Sequence, residues 1–338
     1  MKILLPAHRR VTGVVASVAV GTLLLTACGS SVTAQQSPDD AADATILENC
    51  DREVVVDGVP EAAVGMHPAQ TELLLRLGLA DRLAGQAQAA AQALPEDVAA
   101  SAEAVPVIGG IEPPSREDLL AVRPDFVYSP TTYEFTAEQG FASIDQLQQG
   151  GAAVYVATGG CFERRMTGEV TDLFADLENL GRIFDVPDEA ADLIARSRTE
   201  LDEVAAAIAD VEPLRVAQVY VEGTTLQAIG AGIEYDILRL AGADNVYGPE
   251  QEAFSEFFAA TITPESLAAE QPDALVFSAY DEDHKAATRE YLTTTFPDLP
   301  AVREDRLIAV SSADVFPGTL GNISVVRDIA ERLYPDVF

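Results

Sequence analysis

Tryptophan is absent from the 338 residues, and histidine, cysteine and methionine occur three times each. Beyond the first 28 positions the histidines are His67 and His284, and the one lysine is Lys285. Two histidines this far apart offer little to a histidine-rich metal centre or an acid–base triad. A G-x-S-x-G elbow, a P-loop, an H-E-x-x-H pair and a glycine fingerprint after the first strand are all missing. The chain is therefore read as a non-enzyme. Basic side chains are also scarce, 21 against 55 acidic ones, for a formal charge of −34. A surface of that sign repels nucleic acid and anionic lipid alike, so neither is expected as a partner.

What is present begins at the N-terminus. Lys2, Arg9 and Arg10 precede an apolar run from Val11 to Leu25, and Leu25-Thr26-Ala27 leads directly into Cys28. The run falls short of the about 20 residues a membrane span needs. It reads as a signal peptide over residues 1–27 of the lipoprotein kind, with Cys28 acylated as by palmitate after cleavage. A plain secretory signal or a signal anchor is the alternative. Residues 28–45 are small and polar, a tether between lipid and folded body. This implies a chain on the outer face of the cell membrane, anchored by lipid. Cys50 and Cys161 remain as an even pair in an exported chain, expected to form one disulfide. Closing so long a loop is worth about 4–5 kcal/mol in the chain-entropy view. Two free buried thiols are the other reading.

The rest is long enough for two cores. Strand-like runs at Ala62–Met66, Leu83–Gly85, Val105–Ile108, Asp125–Ser129 and Ala153–Ala157 alternate with helical patterns at Ala69–Leu77, Arg116–Val122 and Ala142–Gln149. The rhythm returns in strands at Arg215–Val221, Thr225–Ile229, Ala274–Ser278 and Leu307–Val310. Helices are expected there at Glu234–Ala241, Pro264–Ala269, Ala286–Thr294 and Ser324–Leu333. Alternation of this kind predicts parallel sheets covered on both faces. Between the halves, residues 186–211 hold no glycine and one early proline, Pro187. Leu193, Ile194, Leu201, Val204 and Ile208 give them a helical stripe, and Pro213 bars extension. The expected fold class is α/β, with two Rossmann-like lobes over 46–185 and 212–338. Each is a mainly parallel sheet flanked by helices, and one long bridging α-helix joins them. The halves also echo one another. Ser115-Arg-Glu and Thr263-Pro-Glu each open a short helix, and a Pro-Asp follows seven residues after the glutamate, just before a strand.

This layout resembles the helical-backbone (class III) solute-binding lipoproteins of ABC importers, which take ferric siderophores, cobalamin or haem. The resemblance rests on the order of several pieces. They are Pro60 to Leu79, the two Glu…Pro-Asp segments, Leu180-Gly-Arg-Ile-Phe-Asp-Val before the bridge, and Leu240-Ala-Gly-Ala-Asp-Asn-Val. It implies capture of a ferric siderophore between the lobes and delivery to a permease dimer with its ATPase. It also implies a monomer with no cofactor, iron entering only within the bound chelate. Glu117 and Glu265 match the family's docking glutamates; the local alternative is that each complements its helix N-terminus. Haem, cobalamin or a metal ion is the alternative cargo, with His67 or a tyrosine as a haem ligand. A sensing or structural lipoprotein is the alternative of another class.

In open α/β lobes ligands bind beyond the carboxyl ends of the strands. The candidate binding residues are therefore His67, Tyr128, Thr131, Tyr133, Phe162, Arg164, Arg165, Tyr220, Glu222, Ile233, Tyr280 and Phe316. Aromatic walls suit a bulky, partly apolar chelate, though any one of these rings also suits a core. Arg164 and Arg165 would meet anionic oxygens of the chelate, or else pair locally with Glu163 or Glu169. For a neutral or cationic hydroxamate, Glu222 and the tyrosines carry more of the contact.

Overall fold

The computed structural model describes residues 44–338, so the leader, Cys28 and most of the tether lie outside the described residues. The first described residues form a hairpin that sequence reading does not anticipate. Strand β1 (Ala44–Asn49) pairs antiparallel with β2 (Arg52–Asp57). The turn between them is Cys50-Asp51, with φ of 52° and 54°. Positive φ at both central residues is what a tight hairpin turn requires. The signal was hidden because Cys-Asp is not the usual Asn-Gly pair, although Val54, Val55 and Val56 alternate in, out and in. Ala44 and Thr45, expected in the tether, are thus part of β1.

The N-terminal sheet is parallel throughout, in the order β5-β4-β3-β6-β7. Its strands are β3 (Ala63–Gly65), β4 (Leu83–Ala87), β5 (Val107–Ile108), β6 (Phe126–Ser129) and β7 (Ala153–Val156). Helices α1 (Pro68–Arg76), α2 (Glu96–Ala102), α3 (Arg116–Ala121) and α4 (Ile144–Gln149) connect them. Every residue of β6 is buried, as a strand covered on both faces must be. Beyond β7 come α5 (Asp172–Ile183) and α6 (Pro187–Ala207).

The C-terminal sheet is mixed. Strands β8 (Leu214–Glu222), β12 (Ala274–Ala279) and β13 (Leu307–Ser311) run parallel, and β10 (Ala243–Asn245) joins β8 in the same sense. Strand β9 (Thr225–Ile229) turns back on β8, and β11 (Ala259–Thr261) pairs antiparallel with β9. Helices α7 (Gly232–Leu240), α8 (Pro264–Glu270), α9 (Glu282–Thr295), α10 (Pro300–Arg303) and α11 (Gly321–Leu333) complete it.

The echoed segments occupy matching places. In each half a hydroxyl side chain caps the helix: Ser115 accepts from the Asp118 N–H at 3.1 Å, and Thr263 from the Ser266 N–H at 3.2 Å. The residue before each proline, Arg123 or Gln271, is left-handed with φ of 49° or 48°. The aspartate that follows then clamps the first strand of its own sheet. Asp125 donates its N–H to the Ala62 carbonyl, and its carboxylate accepts from the Glu61 and Ala62 N–H groups. Asp273 donates to the Arg215 carbonyl and accepts from the Arg215 N–H. The Pro-Asp pair is thus a strand-entry lock used twice.

Helix α6 is shorter than residues 186–211. It spans 21 residues, about 30 Å, because Val186 lies outside the first turn and Ile208 ends the last one. It nonetheless touches both halves. Gly181 of α5 lets the helices approach closely, since a Cβ there would stand 2.8 Å from that of Ala190. On the other side Arg327 of α11 reaches Glu200 at 3.4 Å and Glu203 at 2.6 Å. One continuous apolar cluster runs from Phe126 and Leu177 through Leu193 to Ile237 and Ile329. The lobes therefore share a core along the helix side, in addition to being joined by the helix.

Candidate functional site

The loops that follow the strands bring the lobes into contact. The loop after β13 enters first. Phe316 packs against His67 with ring centroids 5.0 Å apart, and Gln70 donates to the Pro317 and Gly318 carbonyls. Tyr128, fully buried, donates its hydroxyl to the Gly318 carbonyl at 3.3 Å. Behind it, Asp176 accepts from the Tyr155 hydroxyl and from the Thr158 N–H and hydroxyl through one carboxylate oxygen. Its other oxygen has no partner, and burial pushes the carboxyl up to about 6.

A second contact lies at the start of α7. Ile233 fits beside Gly159, where a Cβ would stand 2.9 Å from it, and beside Gly168, where one would stand 3.3 Å away, and the Gly232 N–H donates to the Met166 carbonyl. Asp236 accepts from the Val170 N–H at 2.8 Å. Several expected binding residues are thus joints between the lobes. His67 is 4% exposed, caps α1 by accepting the Ala69 N–H, and is held down to about 4 by burial. Its ring is committed to that cap and to Phe316. Tyr128 and Ile233 likewise offer no surface to a guest in this conformation.

Other expected residues remain open. Tyr133, Phe162 and Tyr280 are 50%, 64% and 53% exposed, each on a loop beyond a parallel strand. Thr131 lies beside Tyr133 and donates to Glu134 at 2.6 Å, helping to hold a carboxylate buried under the loop. Burial raises the pKa of Glu134. The two arginines part company. Arg164 pairs with Asp172 at 2.5 Å, a partner that sequence reading did not name. Arg165 forms no ion pair among the described residues. Its guanidinium lies 4.1 Å from the Phe162 ring and 5.4 Å from that of Phe257, and it donates to the Glu256 carbonyl of the other lobe.

Phe257, 46% exposed, is an open ring beside Arg165 that sequence reading does not single out. Its signal is the Phe257-Phe258 pair, two adjacent large rings that one strand face or helix stripe cannot both bury. On the C-terminal lobe Tyr220 donates to Glu222 at 2.9 Å, and both Tyr220 and Tyr280 pack on His284. Glu117 and Glu265 stand exposed in the first turns of α3 and α8; Glu117 is paired with its neighbour Arg116 at 2.7 Å.

The disulfide joins the hairpin to this face. Cys50 and Cys161 are bonded across 111 positions, and Cys161 immediately precedes Phe162. Asn49 adds paired bonds, its amide donating to the Val156 carbonyl and accepting from the Val156 N–H, both at 2.8 Å. Cys50, Cys161 and Glu163 stand close enough together to suggest a metal site, but the bonded sulfurs cannot act as thiolate ligands.

A family model described as periplasmic binding protein matches residues 64–313. The chain belongs to that family. A comparison with curated proteins finds no match. Solved structures share the fold of this periplasmic binding protein. One is a periplasmic binding protein from Veillonella parvula, 23% identical with a TM-score of 0.75, covering 86% of this chain and 98% of that one. An ABC-type Fe3+-hydroxamate transport system protein from Saccharomonospora viridis is 24% identical at a TM-score of 0.68, with the same 86% and 98% coverage. A periplasmic heme-binding protein from Pseudomonas aeruginosa is 22% identical at 0.63, covering 82% and 94%. Among the described residues of the binding protein, no helix is long and apolar enough to cross a membrane.

Proposed function

We propose that this periplasmic binding protein captures a ferric siderophore on the face where its strand-end loops meet and hands it to the permease dimer of an ABC importer. Lipid on Cys28 would hold it at the outer face of the cell membrane. The observation that carries the cargo reading is Arg165, which forms no ion pair among the described residues and lies between the open rings of Phe162 and Phe257, with Tyr133 and Tyr280 exposed on further strand-end loops. Exposed rings gathered about one side chain, as Phe162 and Phe257 are about Arg165, mark a binding surface, and a partly apolar chelate would cover them. In a chain of formal charge −34, Arg165, without an ion pair among the described residues, supplies local attraction for anionic iron-binding oxygens. The commitment of His67 to its cap and to Phe316 favours a chelate that brings its own iron ligands over haem held by that histidine.

Glu117 and Glu265 supply the docking pair. Their equivalent positions in the two halves would present two carboxylates to paired positive sites on a symmetric permease. Titration followed by tyrosine emission tests the cargo, using a ferric hydroxamate, a ferric catecholate, haem and cobalamin. The ferric siderophores should quench at micromolar concentration or below. Silence with all four compounds, or a response to haem or cobalamin alone, would overturn the siderophore reading.

A further inference from the structure

We propose that Glu222, Tyr220 and Tyr280 form a cation subsite on the C-terminal lobe, and that the captured chelate carries a protonated amine there. The inference rests on the siderophore reading and makes its substrate class narrower.

Glu222 ends β8 and is exposed. Its carboxylate accepts the Tyr220 hydroxyl at 2.9 Å and enters no ion pair among the described residues. Tyr220 and Tyr280 are held from behind by one side chain. His284, 7% exposed, stacks on Tyr280 at 4.1 Å with planes 8° apart and lies 5.5 Å from the Tyr220 ring. It is itself fixed, because its Nε2–H donates to the Val221 carbonyl at 2.7 Å while Asp281 accepts its backbone N–H. With His284 on one side, Tyr280 keeps its other face toward solvent and remains 53% exposed.

A fixed π-face beside a carboxylate is suited to an ammonium group, since the ring quadrupole and the full charge attract it together. Asp281, Glu282 and Asp283 follow immediately, and Lys285 is engaged with Glu282 at 3.1 Å, so the local field is negative. Burial and then Glu222 push the Tyr220 hydroxyl up to about 12, which keeps it a neutral donor to the carboxylate. The opposite lobe presents Arg165 between Phe162 and Phe257. The guest then lies with its iron-binding oxygens toward the Arg165 guanidinium and its amine toward Glu222.

The test uses the whole mature chain and two ferric trihydroxamates that differ only in a free or an N-acetylated primary amine. Calorimetric titration at pH 7 should show the free amine bound about tenfold more tightly. Glu222→Gln should weaken that compound and bring the ratio to within about twofold; Tyr280→Leu should do the same, and Tyr280→Phe should preserve the preference. Equal affinities in the wild type, or a Glu222→Gln variant that weakens both compounds alike, overturn the subsite. If neither hydroxamate binds but another siderophore does, the subsite fails and the wider reading stands; if no chelate binds, both fall.

Discussion

The Tyr128 hydroxyl donates to the Gly318 carbonyl across 190 positions of sequence, tying the end of β6 to the loop after β13. Gly318 is there of necessity. Its φ is 69°, and a Cβ would stand 2.4 Å from that of Ala157 and 2.7 Å from the Tyr128 oxygen. Gly318→Ala should therefore cost roughly 2–4 kcal/mol, from left-handed strain and overpacking together. Urea denaturation measures it, and an unchanged midpoint would refute the packing argument.

Asp176 lies against the same joint and gives stability a pH dependence. Its carboxyl is raised to about 6 in the folded chain, so it keeps a proton where the unfolded chain has released one. Stability from this group falls as pH rises from about 4 to about 6, by about 3 kcal/mol in all. His67 acts oppositely, since burial lowers it to about 4 and stability is lost as pH falls from about 6.5. Asp176→Asn should remove the first dependence alone. Relative to wild type it should gain stability between pH 4 and pH 8; a pH-independent difference would contradict the assignment.

Removing the Cys50–Cys161 bond should act twice. The chain-entropy argument gives a loss of about 3–5 kcal/mol for a loop this long. The loop that carries Phe162 and Arg165 also loses its anchor, so chelate affinity should fall in a Cys50→Ala, Cys161→Ala double variant that is still folded. Chemical denaturation and tyrosine quenching read the two effects separately. Full retention of affinity would show that the bond serves stability only.

Arg164 and Arg165 are adjacent yet should behave differently. Arg165→Ala is expected to weaken an anionic ferric chelate about ten- to a hundredfold. Arg165→Lys should recover part of this, because charge is kept while planar stacking on Phe162 is lost. Arg164→Ala breaks the pair with Asp172 and should mainly lower stability, by up to about 1 kcal/mol. The reverse pattern in titration would exchange their roles.

Charge reversal at both Glu117 and Glu265 should stop uptake through the importer and leave chelate affinity at its wild-type value. Both side chains are exposed in the first turns of their helices, and neither is among the rings and charges read as lining the cargo site. Transport by reconstituted permease, beside binding to the free protein, makes the distinction. Undiminished uptake would remove these residues from the docking role.

Much of this architecture could be read from local pattern. Strand and helix alternation, the stripe of α6 and the Glu…Pro-Asp echo depend on neighbours along the chain, and periodicity, caps and proline report such neighbours directly. The hairpin at β1 and β2 escaped because its turn is Cys-Asp. Arg164 pairs with Asp172, eight positions on, rather than with the nearer Glu163 or Glu169.

The strand-end loops hold the dividing line. Tyr220 and Glu222, expected in a loop, lie within β8, which runs on to Glu222 and pairs with β9. Local pattern put Tyr133, Phe162, Arg165 and Tyr280 beyond strands, and there they stand. It could not separate them from His67, Tyr128 and Ile233, which have the same chemistry at similar positions. That separation came from contacts across the lobes: Phe316 on His67, Gly318 on Tyr128, and Gly159 with Gly168 around Ile233. Burial is a property of what packs against a side chain, and those partners are far away in sequence. The sequence by itself therefore determined the elements, their order and the chemistry at their tips. Only the tertiary structure decided which tips join the lobes and which stay open to solvent, because that depends on partners far away along the chain.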